Sequence, residues 1–402
     1  MGIWLNGPIG LGAQTRITRS GCRTVLVMVP TLAAGTRLFD LVPLIEADHR
    51  IQLVFTVPHG TSGWHGLGDY LRDQRAFVVP WRQAVEHRFD LVLAASHRHL
   101  AEVRGPILLV PHGAGAMKSR EYSRKAGGAT VPSTGLERDL LTYRGRVLPS
   151  VLALTHDREL DELRNRCEEA VPAAIVAGDI CWDRLVAGLP LRNAYRHALG
   201  VGDEELLVTI SSTWSPDSVF GRLPGLYRKI LDKAPESGAR VAAVLHPQIW
   251  AAHGRRQVVG WLSDCIRRGL LLLPPEEGWR ATVVASDWVV GDHGSTTTYA
   301  AGIGRPVSIA ACPGDNIREG SLAALVRSFA PPFRPRRSLR RQFSDASLYR
   351  ERLQMEVSAA ISSRPGQAAG ILRAAMYRLL ALTVPTGEGP SAPFPLPEPI
   401  GG

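Results

Sequence analysis

The stretch from Ser286 to Ala311, SDWVVGDHGSTTTYAAGIGRPVSIAA, holds the residues best suited to chemistry. Gly291 and Gly294 let the backbone turn tightly and come close to a ligand. Ser295, Thr296 and Thr297 can cap a helix that follows and set hydroxyls beside its first N–H groups. Those N–H groups, at the positive end of the helix dipole, make an anion site, most naturally for phosphate. His293, Gly294, Ser295, Thr296 and Thr297 are therefore the candidate phosphate ligands. An ordinary capped helix in a βαβ unit has the same pattern, and the stretch alone leaves both readings open.

Histidines supply the other candidate chemistry. Two apolar runs end in the same tetrapeptide, Val57-Pro58-His59-Gly60 and Val110-Pro111-His112-Gly113, and a third ends in His246-Pro247. In open α/β sheets ligands sit beyond the carboxyl ends of the strands, where these histidines fall. Gly113 and Gly115 keep the surroundings of His112 open, and Lys118 and Arg120 follow closely; His59 lacks such support. A structural histidine in a turn is the competing reading for each.

The elements that must position these residues can be read from the apolar runs. Thr24–Pro30, Ile51–Pro58, Ala76–Val79, Leu91–Ala95, Ile107–Pro111, Val151–Leu154 and Ala173–Ala177 are continuous enough for buried strands, with helical patterns between them. After Gly188-Leu189-Pro190 the pattern repeats in Leu206–Ile210, Val241–Leu245, Leu270–Leu273, Val289–Val290 and Val307–Ala310. Such alternation predicts parallel sheets covered on both faces. Two helical patterns split at Pro365-Gly366 follow, within Ser344–Leu382. The expected division is a mobile leader over 1–22, an N-terminal domain over 23–187, a hinge near 188, and a C-terminal domain over 188–330. A basic linker with helices over 331–384 and a Pro- and Gly-rich disordered tail over 385–402 complete it.

With 402 residues, 45% hydrophobic and 21% charged, the chain has room for two globular domains. No apolar segment reaches the roughly 18 to 20 residues of a membrane-spanning helix, and the N-terminus lacks the order of a signal peptide, so a cytoplasmic protein is expected. Five scattered cysteines without a CxxC pair fit buried or incidental thiols in a reducing compartment. The net charge of +10 is largely arginine, and its densest run is Arg334–Arg341. That run reads as a solvated linker, as a contact to an anionic membrane at its inner face, or to a phosphopolymer. No RNP, helix-turn-helix or zinc-finger pattern supports nucleic acid as a partner.

Two βα domains, a hinge and a terminal helix pair able to fold back describe the GT-B architecture. Within it the residues resemble the CDP-glycerol glycerophosphotransferases of teichoic acid synthesis. His112-Gly113 with Lys118 is similar to the family's strand-end His-Gly and following lysine. Ala177-Gly178-Asp179-Ile180-Cys181-Trp182-Asp183-Arg184-Leu185 resembles its element before the hinge, and Ser212-Thr213-Trp214-Ser215 its Pro-Thr-Trp-Arg-like strand end. His246-Pro247 matches its His-Pro, and Asp292-His293-Gly294-Ser295-Thr296 before Arg305-Pro306 resembles its Asp-x-x-Ser-Ser motif. The resemblance spans roughly residues 105 to 325, with the five motifs in order. Three departures stand out: the family's Trp-His-Gly-Thr is Pro-His-Gly-Ala, its arginine after Thr-Trp is Ser215, and its second phosphate serine is Thr296.

The resemblance implies an α/β, GT-B fold: two Rossmann-like doubly wound domains facing a central cleft, with the C-terminal helices packing back on the N-domain. It implies His112 as the base that deprotonates an acceptor hydroxyl, with Lys118 on the acceptor side. His246 would hold the donor diphosphate with Ser295 and Thr296, and Thr213, Arg305 and Asp315 would contact the nucleotide. The donor would be CDP-glycerol or a UDP-sugar, the acceptor a hydroxyl of an envelope polymer or lipid-linked precursor. No metal and no further cofactor is called for. The UDP-N-acetylglucosamine 2-epimerases share several landmarks, among them Gly35-Thr36-Arg37 and His246-Pro247, but paired glutamates follow their phosphate loop where Thr297-Thr298-Tyr299 stands here. A non-catalytic binding protein of the same fold is the reading from a different class.

Overall fold

The apolar runs form two parallel sheets in the computed structural model, which describes all residues except 1–3, 6, 11–12, 14–16, 60–65, 127–128, 133, 388–392 and 402; for 122–126 and 129–132 it describes the backbone alone. The chain divides into two compact units. Unit 1 comprises Met1–Ala116, Gly135–Cys181 and Ser363–Ser391; unit 2 comprises Met117–Thr134, Trp182–Ser362 and Ala392–Gly402.

Unit 1 is built on seven strands: β1 (Arg23–Met28), β2 (Ile51–Thr56), β3 (Val78–Val79), β4 (Leu91–Ala94), β5 (Ile107–Leu109), β6 (Val151–Leu154) and β7 (Ala174–Val176). They lie in the order β7-β6-β5-β4-β1-β2-β3, every pair parallel. Val25, Leu26, Val27 and Met28 are wholly buried, because a parallel sheet is covered on both faces and its strands carry no polar face. The helix Leu32–Leu41 begins where the Thr31 hydroxyl accepts the Ala34 N–H, a short side chain meeting an N–H that the first turn leaves unbonded.

The parallel sheet of unit 2 has five strands, β8 (Leu206–Ser212), β9 (Ala239–Leu245), β10 (Leu271–Leu272), β11 (Trp288–Gly291) and β12 (Val307–Ile309), in the order β10-β9-β8-β11-β12. In both units the chain starts at a central strand, builds outward to one edge, then returns to build toward the other. The reversal opens a crevice at the carboxyl ends of β1 and β4 in unit 1, and of β8 and β11 in unit 2.

Several sequence boundaries shift. The change of unit falls between Cys181 and Trp182, two residues into the helix Ile180–Gly188, and Leu189–Leu191 form a 3₁₀ turn inside unit 2. The segment Met117–Thr134 belongs to unit 2, so Lys118 is not in the N-terminal unit as expected. Three helices follow residue 338 instead of two: Leu339–Leu348 and Arg350–Ile361 belong to unit 2, and Ala368–Leu379 places Leu372, Ala375, Met376 and Tyr377 in the core of unit 1. In the leader, Leu5 exchanges two 2.9 Å hydrogen bonds with the Gln83 amide, and Ile9 is buried; part of the leader lies outside the described residues. In the tail, Phe394 is buried between the guanidinium groups of Arg184 and Arg280, and the Ile400 N–H bonds the Leu272 carbonyl on the edge strand β10. One aromatic with a cationic clamp overrides the composition here, while residues 388–392 lie outside the described residues.

Candidate functional site

In unit 2 the candidate phosphate ligands occupy the crevice at the carboxyl ends of β8 and β11. Asp292 organises them. Its carboxylate, wholly buried, accepts the N–H groups of Thr213 (3.0 Å), Val219 (2.9 Å) and Gly294 (3.0 Å), and the Ser212 hydroxyl at 3.4 Å. One side chain thus binds the loop after β8 to the loop after β11. Burial pushes its pKa up to about 6, against the opposing pull of the backbone N–H groups.

Beyond Asp292 the helix Ser295–Gly302 starts at Gly294, which offers no side-chain cap. Ser295 and Thr296 are half-buried at its first turn, whose N–H groups have no partner within the helix. The expected role of Thr297 is corrected: its side chain is 1% exposed and turns inward over Gly291, where a Cβ would come within 2.1 Å of its Oγ1. Only its backbone N–H can meet an anion. Gly291 lets the helix sit down on the strand end.

His293 is 9% exposed, and its Nδ1 has no hydrogen-bond partner. Burial holds its pKa down to about 4; Arg120 adds to that shift and Asp217 opposes it. The ring is therefore neutral near pH 7 and brings an N–H rather than a charge. The charge comes from Arg120, which pairs with Asp217 at 2.6 Å. Sequence reasoning noted Arg120 only as a basic neighbour of His112 and did not find Asp217, because the two lie 97 positions apart.

His246 caps the helix Pro247–His253 at the end of β9. Its Nδ1 accepts the Gln248 N–H at 3.0 Å, so a neutral ring carries its proton on Nε2, while the backbone N–H of His246 bonds the Ser212 carbonyl. Thr213 sits at the end of β8 with its N–H on Asp292, next to Trp214, which is 58% exposed. The fold thus brings together Thr213, His246 and the Asp292–Thr296 loop at the ends of three adjacent strands.

It does not bring Arg305 there. Arg305 precedes β12 and lies at the opposite, amino-terminal edge of the sheet, among Arg192, Asp287, Arg350 and Arg196. Asp315 is exposed in the 3₁₀ turn Gly314–Asn316. The Lys118 side chain is exposed, while its N–H bonds the Thr134 carbonyl and its carbonyl accepts Arg318 Nε at 2.8 Å.

In unit 1, His112 follows β5 beside the β4 end, exposed, with Nδ1 3.0 Å from the Ala95 carbonyl oxygen. A carbonyl only accepts, so Nδ1 holds the proton and Nε2 of the neutral ring holds the lone pair. The Gly113–Ala116 loop behind it is held by two buried groups. Glu159 accepts the Ala116 N–H at 2.6 Å and the Thr155 N–H at 2.7 Å, with its pKa raised by burial. Arg37 pairs with Asp179 at 2.8 Å and reaches the Gly113 carbonyl at 3.3 Å, while Asp179 also accepts the Cys181 N–H. His59 follows β2, exposed.

These two switch-point sheets have known counterparts among solved structures. The wall teichoic acid polymerase TagF aligns with a TM-score of 0.58 at 10% identity, covering 90% of each chain. MnaA of S. aureus with UDP aligns at 0.57 and 11% identity, covering 91% of this chain and 99% of that one. The fold is GT-B. TagF soaked with CDPG aligns at 0.55, with 11% identity over 89% of this chain and 88% of that one. Both resemblances read from the motifs therefore recur as structural neighbours. No family model matches the chain, and no curated protein matches it in sequence.

Proposed function

We propose that the chain is a transferase that moves a glycerophosphate or glycosyl unit from a nucleotide-diphosphate donor to a hydroxyl of an envelope polymer or lipid-linked acceptor. The observation that carries this reading is the Asp292-ordered loop: a helix N-terminus, two half-buried hydroxyls and the Nε2–H of His246 collected at the carboxyl ends of β11, β8 and β9. That set suits a diphosphate, whose charge on the leaving phosphate it stabilises without rearranging. Thr213 and the exposed Trp214 flank the loop where a nucleoside would extend, and the CDPG and UDP of the neighbouring structures fit a donor of this class.

His112 is the base in this reading, because its Nδ1 is committed to the Ala95 carbonyl and its Nε2 carries the lone pair. Lys118 serves the acceptor. An epimerase is the second reading, favoured by the similarity to MnaA, which nearly equals that to TagF. Against it, Thr297 and Thr298 are buried where that family has its paired glutamates.

Contact with an anionic membrane belongs to the same proposal. Arg334, Arg336, Arg337, Arg340 and Arg341 are exposed on unit 2, and the helices that follow expose Leu348 and Met355. No helix among the described residues is long and apolar enough to cross a membrane.

The deciding experiment is a calorimetric screen with CDP-glycerol, CDP, UDP, UDP-N-acetylglucosamine, GDP and ADP. A cytidine-selective response, weakened at least tenfold in a Ser295→Ala/Thr296→Val variant, is expected for glycerophosphate transfer. Uridine selectivity moves the reading to sugar transfer or epimerisation, and no response to any nucleotide refutes the donor site.

A further inference from the structure

The amino-terminal edge of the unit 2 sheet carries a second basic cluster. Asp287 precedes β11 there, and Arg192 and Arg196 of the helix Arg192–Ala198 both pair with it, Arg196 at 2.7 Å. Arg196 is fully used, since it also donates to the carbonyls of Gly202 (2.8 Å) and Glu205 (2.6 Å). Arg305 is not. Its guanidinium has no hydrogen-bond or ion-pair partner among the described residues, and its Nε, like that of Arg192, is buried. Burial, then Arg192, push its pKa down to about 10; Asp287 opposes this, and Arg350 and Arg196 add to it.

The buried Nε–H left without an acceptor is costly, and the two terminal nitrogens, which reach solvent from this half-buried residue, can take an anion that also satisfies it. The carboxylates at hand are Asp287, shared by two arginines, and Glu351, 3.4 Å from Arg350; that of Glu205 turns to the Gly202 N–H. Four guanidinium charges against two carboxylates leave two positive charges. A planar guanidinium fork matches phosphate oxygens in pairs, and a dianion neutralises the excess.

We infer that Arg305, Arg192 and Arg350 form a binding site for a phosphate dianion, either inorganic phosphate or the terminal phosphomonoester of a larger ligand. The site is separate from the phosphate loop: Asp287 and Asp292 bracket β11 and lie roughly 16 Å apart for an extended run of that length. It stands whether or not the proposed transfer is correct.

Titration calorimetry with inorganic phosphate at fixed ionic strength tests it. Wild-type protein should bind one phosphate more than Arg305→Gln, and the same difference should persist in a Ser295→Ala/Thr296→Val background. Arg350→Gln, on an exposed helix start, should weaken the edge site at least fivefold, and it decides the matter if Arg305→Gln does not fold. Unchanged stoichiometry and affinity in both arginine variants would overturn the assignment, as would dimethyl phosphate, a monoanion, binding as tightly as phosphate. Glycerol 3-phosphate binding at least as tightly as phosphate identifies a terminal phosphomonoester as the ligand; its exclusion while phosphate binds identifies the free ion.

Discussion

At His112 the bond from Nδ1 to the Ala95 carbonyl fixes which nitrogen takes a proton, and the Arg37 and Glu159 contacts fix the loop that follows. Substituting His112 by Ala should abolish turnover and leave the donor dissociation constant within twofold; undiminished turnover would exclude the base. Glu159→Gln keeps the shape but turns an amide N–H toward Ala116 or Thr155. It should lower kcat several-fold at unchanged donor affinity, and an unchanged kcat would show that the loop holds without it. Arg37→Met leaves Asp179 buried without its cation, which should cost about 3–5 kcal/mol by denaturant unfolding.

Two titrations in the Asp292–Thr297 loop oppose each other. Asp292, folded pKa about 6, favours the folded state below about pH 4, and that contribution disappears as pH rises through 6. His293, folded pKa about 4, stabilises above its ordinary range near 6.5, and that contribution disappears as pH falls through 4. Between pH 4 and 6.5 they offset. A His293→Gln variant removes one arm, so its stability should rise on acidification across that window relative to wild type, as urea midpoints would reveal; parallel curves would count against the buried ring. The Gly291–Thr297 run was legible as residue types, but not which side chains turn inward. Nor was the Arg120–Asp217 pair, which only the fold brings together.

At the scale of elements the strands were the legible part, because burial on both faces writes itself into unbroken apolar runs. Arg305 shows how chain adjacency misleads. It stands ten residues after Ser295, but a helix in a βαβ unit returns the chain to the opposite edge of the sheet, and Arg305 goes with it. The helix seat itself is testable. Gly291→Ala drives a methyl into Thr297 and should cost about 1–3 kcal/mol, which Thr297→Ala in the same chain should largely restore; no recovery would place the strain elsewhere. The tail failed as a reading because a single buried aromatic outweighs a Pro-rich composition. Phe394→Ala should lower stability by about 3 kcal/mol, measured by chemical unfolding.

For the whole molecule, the basic excess predicts salt-dependent adsorption to anionic surfaces. Sedimentation with phosphatidylglycerol vesicles should deplete the protein at low salt and release it at about 0.5 M, where screening shortens the attraction to roughly 4 Å. Replacing Arg336, Arg337, Arg340 and Arg341 by Gln should at least halve the bound fraction, and an unchanged fraction would remove this surface from consideration. The motif order was enough to expect two doubly wound units, because each sheet is encoded locally. The exchange of segments between them was not, since nothing in the Met117–Thr134 run marks which core it joins.

That exchange has a consequence for biosynthesis. The chain passes between the units five times, and the core of unit 1 is closed by Ala368–Leu379, more than 180 residues after the strand β7. A ribosome adding about 5–20 residues per second would hold seven strands of an unfinished sheet waiting roughly ten seconds or more for their last helix. No single cut in the gene can place the two units, each whole, in separate pieces.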